Sequence, residues 1–444
     1  MGKLDKTITR LTQIVGEDNI RTAPEVTAQH AVGGVSPGVV VFPGDMEQVA
    51  EVVRLANKER LTIFPWGSGS KTSGGTPPKQ LDLVVCMSRL NTIIDMDTAN
   101  LTVTVQAGVK FKDVQMGLSS RENRCYLPIT NDPQEGSELF CSERNRTGCF
   151  LPLDPPFFDM ATMGGIIAGN STGPRRLLYG LPRDLVLGVR FVAPNGEIIG
   201  AGGKTVKNVS GYDISKLMIG SYGSLGILCE MTLRLLPLPE RMETRLFSFS
   251  SFIDASDFVT RIFESNLLPA AVELINSHEV EQLPFPDPSR FAPEEHGEGY
   301  GVAVALEDFR ESVERMKSEM TEMVSDLTHK GETGLEEKEH STFWAAISNT
   351  DRLLSKRFNG LITARISYPL SEWKNLIPFT DKTLSGLGTG YVLQAHAGSG
   401  VCRISLLTDN PDDNPDGEKE TLEKAIQALG KISEQCSRIG GTLF

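Results

Sequence analysis

Between residues 65 and 75 the chain reads PWGSGSKTSGG, directly after the apolar run RLTIF. Glycine permits tight curvature and close approach there. Ser68, Gly69, Ser70, Lys71, Thr72, Ser73, Gly74 and Gly75 can therefore turn several backbone amides towards one anion. The stretch is not a Walker P-loop, because Ser70 rather than glycine precedes Lys71. Nor does it head a helix, since Pro77 and Pro78 follow and lead into the strand-like run LDLVV. Taken alone, it also reads as a plain glycine–serine turn. Two further stretches favour a phosphate. DMATMGGIIAGNSTGPRRLLYG offers Thr162, the adjacent Gly164 and Gly165, and Gly169-Asn170-Ser171. Arg175 and Arg176 add donors suited to a phosphate or a carboxylate. KNVSGYDISKLMIGSYGSLGIL carries Gly211, Gly220, Gly223 and Gly226 and runs into a strand whose backbone can pair with an adenine edge. At Gly75 and Gly164 a side chain would stand where a phosphate approaches. Three such loops suit a large, flat ligand that carries a diphosphate.

Metal chemistry is not signalled. The seven cysteines (Cys86, Cys125, Cys141, Cys149, Cys229, Cys402, Cys436) contain no CxxC pair, so neither an iron–sulfur cluster nor a zinc site is indicated. Cys86 and Cys229 lie in apolar runs and read as buried thiols, whereas Cys141 and Cys149 sit close together in a polar stretch. The six histidines (His30, His278, His296, His329, His340, His396) form no HxH or HxxxH pair.

Elements that would hold these loops can be read from periodicity. Residues 36–67 form a strand–helix–strand unit: GVVVF, a helix capped by Asp45 with apolar residues at helical spacing, and LTIF. LDLVVCM, NTIIDMD and LTVTVQAG follow as short strands, then KFKDVQMGLSS as a helix. Residues 119–150 read as an insertion, either a solvated excursion or a docking element. VRFVAPNGEIIGAG predicts a hairpin with an Asn-Gly turn, and PLPE marks a domain boundary near 237–240. Beyond 240, strands and helices alternate in two rounds of β-α-β. FRESVERMKSEMTEMVSDLTHKG reads as one helix, and the texture predicts an α+β domain with helices on one face of a sheet.

With 444 residues, 39% hydrophobic and 23% charged, the chain is long enough for two globular domains, 1–240 and 241–444. A net charge of −13 argues against nucleic acid as a partner. No run approaches the roughly 18 apolar residues of a membrane span, and the N-terminus lacks the apolar block of a signal peptide. A cytoplasmic protein is expected, with any membrane association coming through partners.

PWGSGSKTSGG, ATMGGIIAGNSTGPRRLLYG, RDLVLGVRFVAPNGEIIGAGGKTVKNVSGYD and LMIGSYGSLGILCEMTLRLLPLPE together resemble the FAD-linked oxidases of the vanillyl-alcohol oxidase / p-cresol methylhydroxylase (PCMH) fold. FLPLDPP, GPRR and KNVSGYDISKLM most resemble the FAD-binding subunit of multi-subunit glycolate or D-lactate dehydrogenases. The resemblance is strong over 36–240 and one of organisation beyond it. It implies an α+β protein: a two-subdomain PCMH-type FAD-binding domain, then an α+β cap domain with an antiparallel sheet covered by helices. It also implies that the loop from Trp66 and Gly67 to Gly75 holds the pyrophosphate. Pro155, Thr162, Gly164, Gly165, Asn170, Ser171, Gly173 and Arg175 would line the cofactor. Gly220, Gly223, Gly226 and Ile227 would hold the dinucleotide, with Ile227 pairing to adenine through its backbone. The first loop has no histidine for covalent attachment, so non-covalent FAD is expected.

The sequence departs from that family at LQAHAGSGVCRI. Relatives that oxidise 2-hydroxy acids carry an HxGDGNxH-like segment there, which helps bind a metal. Here His396, Gly398 and Gly400 remain, but Ser399, Val401 and Arg403 replace Asp, Asn and the second His. No metal is therefore expected. Relatives also usually continue past the point corresponding to Phe444 with a short tail. Two functions follow from the resemblance. One is an electron-relay subunit that works with a catalytic flavoprotein and an iron–sulfur subunit. The other is a self-sufficient 2-hydroxy-acid dehydrogenase with His396 as base and Arg175 or Arg403 gripping a carboxylate. A scaffold that has lost its cofactor is disfavoured by three intact glycine-rich stretches.

Overall fold

The computed structural model describes residues 3–72, 74–122, 148–204, 212–276, 299–358, 360–408 and 415–444. Its described residues fall into two units. One holds residues up to 122, then 148–172 and 180–238; the other holds 173–179 and 239–444.

The first unit contains two larger sheets. Strands β1 (Ile20–Arg21), β2 (Val39–Val41), β3 (Ile63–Trp66) and β4 (Leu83–Cys86) lie in the order β1-β2-β4-β3, with β2 and β3 both parallel to β4. Helix α1 (Lys3–Val15) and the one-turn α2 (Pro24–Thr27) precede them or lie among them. The expected strand–helix–strand unit is β2, α3 (Met46–Glu59) and β3. Asp45 caps α3 by accepting the Gln48 amide at 2.7 Å, and Val49, Ala50, Val52, Val53 and Ala56 form its buried stripe. The second sheet is antiparallel: β5 (Ile93–Asp97), β6 (Thr102–Gln106), β10 (Ile227–Arg234), β8 (Val186–Val192) and β9 (Ile198–Gly202), in that spatial order. The β8–β9 connection turns at Asn195-Gly196, where Gly196 has φ 81°. Helix α4 (Phe111–Glu122) precedes residues 123–147, so most of the expected insertion lies outside the described residues. Past it, β7 (Cys149–Phe150) pairs with β11 (Leu236–Pro237). Short helices α5 (Met163–Ala168), α7 (Pro182–Leu185) and α8 (Ile214–Met218) complete the unit. Cys86 and Cys229 are buried thiols as expected, and burial pushes Cys229 up to about 12.

In the second unit one antiparallel sheet of eight strands dominates. It comprises β12 (Arg241–Phe249), β13 (Ala271–Asn276), β14 (Tyr300–Asp308), β15 (His329–Glu336), β16 (Gly360–Ser367), β17 (Tyr391–His396), β18 (Val401–Thr408) and β19 (Thr442–Leu443). Their spatial order is β15-β12-β14-β13-β17-β18-β16-β19. Helices α9 (Phe252–Glu264), α10 (Arg310–Val324), α13 (Trp373–Ser385) and α14 (Pro415–Arg438) cover one face over Phe247, Phe249, Leu274, Val304 and Ile404. The opposite face, expected to be open, is covered too. Helices α11 (Glu337–Ser348) and α12 (Thr350–Ser355) bring Phe343, Trp344, Ile347 and Leu354 onto Leu246, Ala271, Ile275 and Ala303. Central strands buried on both faces lose the alternation that marks a solvated side. A second correction concerns the helix expected over 309–331. It ends at Val324, and His329–Glu336 becomes the edge strand β15. A one-turn helix, α6 (Arg176–Tyr179), also belongs to this unit.

Candidate functional site

The three glycine-rich stretches converge at the C-terminal end of β3. Trp66 closes that strand, its ring packed 5.0 Å from the His30 ring. Gly67 follows because a Cβ there would run into Thr162 Oγ1. That hydroxyl accepts the Gly165 amide at 3.3 Å and caps α5, so the first and second stretches meet at this point. Gly69, at φ 74°, tucks beneath the Trp66 ring, and Thr72 closes the turn by donating its hydroxyl to the Gly69 carbonyl at 3.0 Å. Among the described residues, the amides of Ser68, Gly69, Ser70 and Lys71 donate to no backbone carbonyl. A curved row of open amides is an anion nest. Ser73 lies outside the described residues; Gly74 and Gly75 are exposed, Gly75 at φ 91°.

Helix α5 seats the other two stretches. Tyr222 donates its amide to Ala168 O at 2.9 Å and Gly220 donates to Ile167 O at 3.2 Å, satisfying carbonyls at the end of α5. Asn170 (φ 44°), Gly220 (φ 80°), Tyr222 (φ 52°) and Gly223 (φ 77°) are all left-handed, which is how so tight a joint is turned. Among the described residues, Asn170 Oδ1 and Ser221 Oγ are buried at this joint without hydrogen-bond partners. Lys71 lays its stem against Gly169, its Cδ 3.5 Å from where a Cβ would stand. Burial draws the Lys71 ammonium down to about 8. Ile227 opens β10 opposite Val192, before the β10–β6 pairing begins at Glu230 and Gln106. One edge of its backbone is therefore unpaired by any described strand. Pro155 is buried beside Asp154, which accepts the Thr172 hydroxyl at 3.1 Å, and the Ser171 amide returns to Ile166 O. Open amides, a cation and two unpartnered polar atoms fit a dinucleotide's diphosphate and sugar hydroxyls.

A Cβ on Gly164 would meet Ala107, at 2.8 Å from its Cβ. That glycine serves the packing of α5 on the end of β6.

Gly173 and Arg175 belong to the second unit, so the sequence stretch that contains them divides at Thr172. Arg175 is completely buried. Its Nη2 donates to Glu307 Oε1 at 2.6 Å, and Tyr179 donates its hydroxyl to Glu307 Oε2 at 2.6 Å. His340 Nε2 is 3.1 Å from the same Oε1, and its Nδ1 is 2.8 Å from Thr244 Oγ1, which accepts from Trp344 Nε1 at 2.8 Å. Burial pulls His340 below the ordinary histidine range, while Glu307 pulls it up. Arg175 Nη2 also lies 3.1 Å from Nε2, so which ring nitrogen donates is set by the tautomer.

His396 ends β17 directly across from Glu273 on β13, with Nδ1 2.5 Å from Glu273 Oε2. Both side chains are buried, and Glu273 Oε1 accepts no hydrogen bond among the described residues. Burial pushes the Glu273 carboxyl up to about 8, while the positive fields of Arg403 and Arg176 pull the other way. On the neighbouring strand Val401 stands opposite His396, and Arg403 Nε lies 3.7 Å from Asp351 Oδ2. Glu273 was missed from sequence, although a carboxylate inside AAVELIN is the kind of buried charge that marks a site.

The chain matches the family described as FAD binding domain over residues 37–131 and 141–202. It matches FAD linked oxidases, C-terminal domain, over 238–444. It is 28% identical over 416 residues to a Bacillus subtilis protein named glycolate oxidase subunit GlcD, covering 92% of this chain and 79% of that one. It is 31% identical over 243 residues to a D-lactate dehydrogenase of Archaeoglobus fulgidus, covering 55% and 48%. Among solved structures, substrate-bound p-cresol methylhydroxylase superposes with a TM-score of 0.74 at 16% identity, covering 99% of this chain and 88% of that one. Alkyldihydroxyacetonephosphate synthase gives 0.73 at 19% identity, covering 99% and 80%. At such identities these structures establish the PCMH-type fold alone. With the FAD-binding domain matched in the first unit and the oxidase C-terminal domain in the second, the chain belongs to the FAD-linked oxidases, a family of FAD-dependent oxidoreductases.

Proposed function

We propose that the chain is the FAD-binding flavoprotein subunit of a glycolate- or D-lactate-type 2-hydroxy-acid dehydrogenase complex, relaying electrons to an iron–sulfur partner. FAD, held non-covalently by the amides of 68–71 and the α5 joint, supplies two-electron chemistry when bound. The observation that carries this reading is the environment of His396. Val401, an apolar side chain, faces it across the hairpin, and Arg403 is engaged with Asp351. Neither position offers a ligand that could help His396 hold a hydroxy acid through a metal. The name of the Bacillus subtilis relative, a subunit, supports membership of a complex.

A second reading has its own support. The buried Glu273–His396 pair is built as a proton-holding unit, with Nδ1 committed to the carboxylate. Such a pair can take a hydroxyl proton at Nε2 without a metal, as a self-sufficient dehydrogenase would require. Anaerobic addition of D-lactate or glycolate to the FAD-loaded chain separates the two. For the relay subunit, flavin absorbance is unchanged until partner subunits are added. Bleaching of the chain by itself would overturn the relay reading in favour of the second.

A further inference from the structure

Lys71 is unusual among the cations of this chain. Its stem is packed against Gly169, the side chain is half-buried, and among the described residues it forms no ion pair. A half-buried cation without an internal anion is stabilised when an external one completes it. The anion's place is marked by the loop itself, whose amides from Ser68 to Lys71 point to no internal carbonyl. We propose, building on the FAD reading, that Lys71 is the counter-charge of the FAD diphosphate and makes retention of the cofactor depend on pH. Burial is what draws the ammonium down to about 8, with no carboxylate contributing. The Tyr222 phenol also packs at this glycine, its ring edge 3.9 Å from the Gly169 Cβ position. A bound diphosphate raises the lysine's pKa. Affinity is therefore full below about pH 8 and falls as pH rises through the interval between the empty and filled values.

The test is equilibrium release of FAD from the diluted, FAD-loaded full chain, followed by free-flavin fluorescence across this pH range. Wild type should release more FAD above pH 8. Lys71→Met should weaken retention about tenfold to a hundredfold, the scale of one charge-assisted contact, and flatten the pH dependence. Lys71→Arg should hold FAD within a few-fold of wild type, yet lose the same pH dependence, because guanidinium does not deprotonate there. If Lys71→Met misfolds by circular dichroism, Lys71→Arg still decides. Equal retention in wild type and Lys71→Met would overturn the proposal. So would unchanged retention accompanied by a shifted flavin midpoint potential, which would place the ammonium at the ring. A wild-type chain that takes up no FAD would instead sink the FAD reading beneath it.

Discussion

A carboxylate that keeps its proton near neutral pH writes itself into stability. Glu273 is buried, shares a 2.5 Å contact with His396 Nδ1 and has its carboxyl pushed up to about 8. The two groups titrate as a pair, so the proton belongs to both. Unfolding exposes Glu273 to water, where it ionises in the ordinary carboxylate range. Between that range and about pH 8 the unfolded chain thus binds fewer protons than the native one, and stability falls as pH rises. Glu273→Gln keeps the shape and removes the titration. Urea unfolding between pH 5 and 8 should show the wild-type slope flattened in the variant. An identical slope in both proteins would mean that the proton is held elsewhere.

At the scale of elements, the joint between the first loop and α5 is tightly constrained within the proposed cofactor site. Gly67 and Thr162 compete for one space, and the Thr162 hydroxyl both fills it and caps α5. Gly67→Ala should displace that hydroxyl and cost at least about 1 kcal/mol of capping and packing, enough to weaken FAD retention several-fold. Adding Thr162→Ala removes the obstructing oxygen, so the double variant should recover part of the loss, a coupling that a thermodynamic cycle measures directly. Additive losses would show that the two residues do not share this space. Glycine spacing made this joint legible in the sequence, because left-handed turns and close approaches demand glycine. The β2–α3–β3 unit was legible for a similar reason: Asp45 and a period near 3.6 announce a helix between two β-branched runs. Helices α11 and α12 were not. Strands β13 and β17 are buried on both faces, so nothing in AVELIN or YVLQAH says that a second layer lies above them. The dyad was hidden for the same reason, since Glu273 and His396 are 123 residues apart and meet only through strand pairing.

For the whole molecule, the division into two units assigns the two kinds of buried chemistry to different bodies. The amide nest, Lys71 and the α5 joint lie in the first unit; the Arg175–Glu307–His340 network and the Glu273–His396 pair lie in the second. A ligand that binds only native protein stabilises the unit that holds it, by about 2.7 kcal/mol at a hundredfold excess over Kd. Removing one partner of a buried ion pair costs about 3–5 kcal/mol, because the other charge is left without compensation. Glu307 retains Tyr179 and His340 when Arg175 is lost, which places Arg175→Met near the lower end of that range. Chains of this size commonly unfold domain by domain. Denaturant unfolding should therefore resolve two transitions, with FAD moving one to higher denaturant and Arg175→Met moving the other to lower denaturant. Site-specific fluorescence would identify each, Trp66 reporting the first unit and Trp344 the second. If FAD and Arg175→Met instead shift one common transition, the two units unfold as a single cooperative body, and the separation of cofactor binding from the buried charge network fails with it.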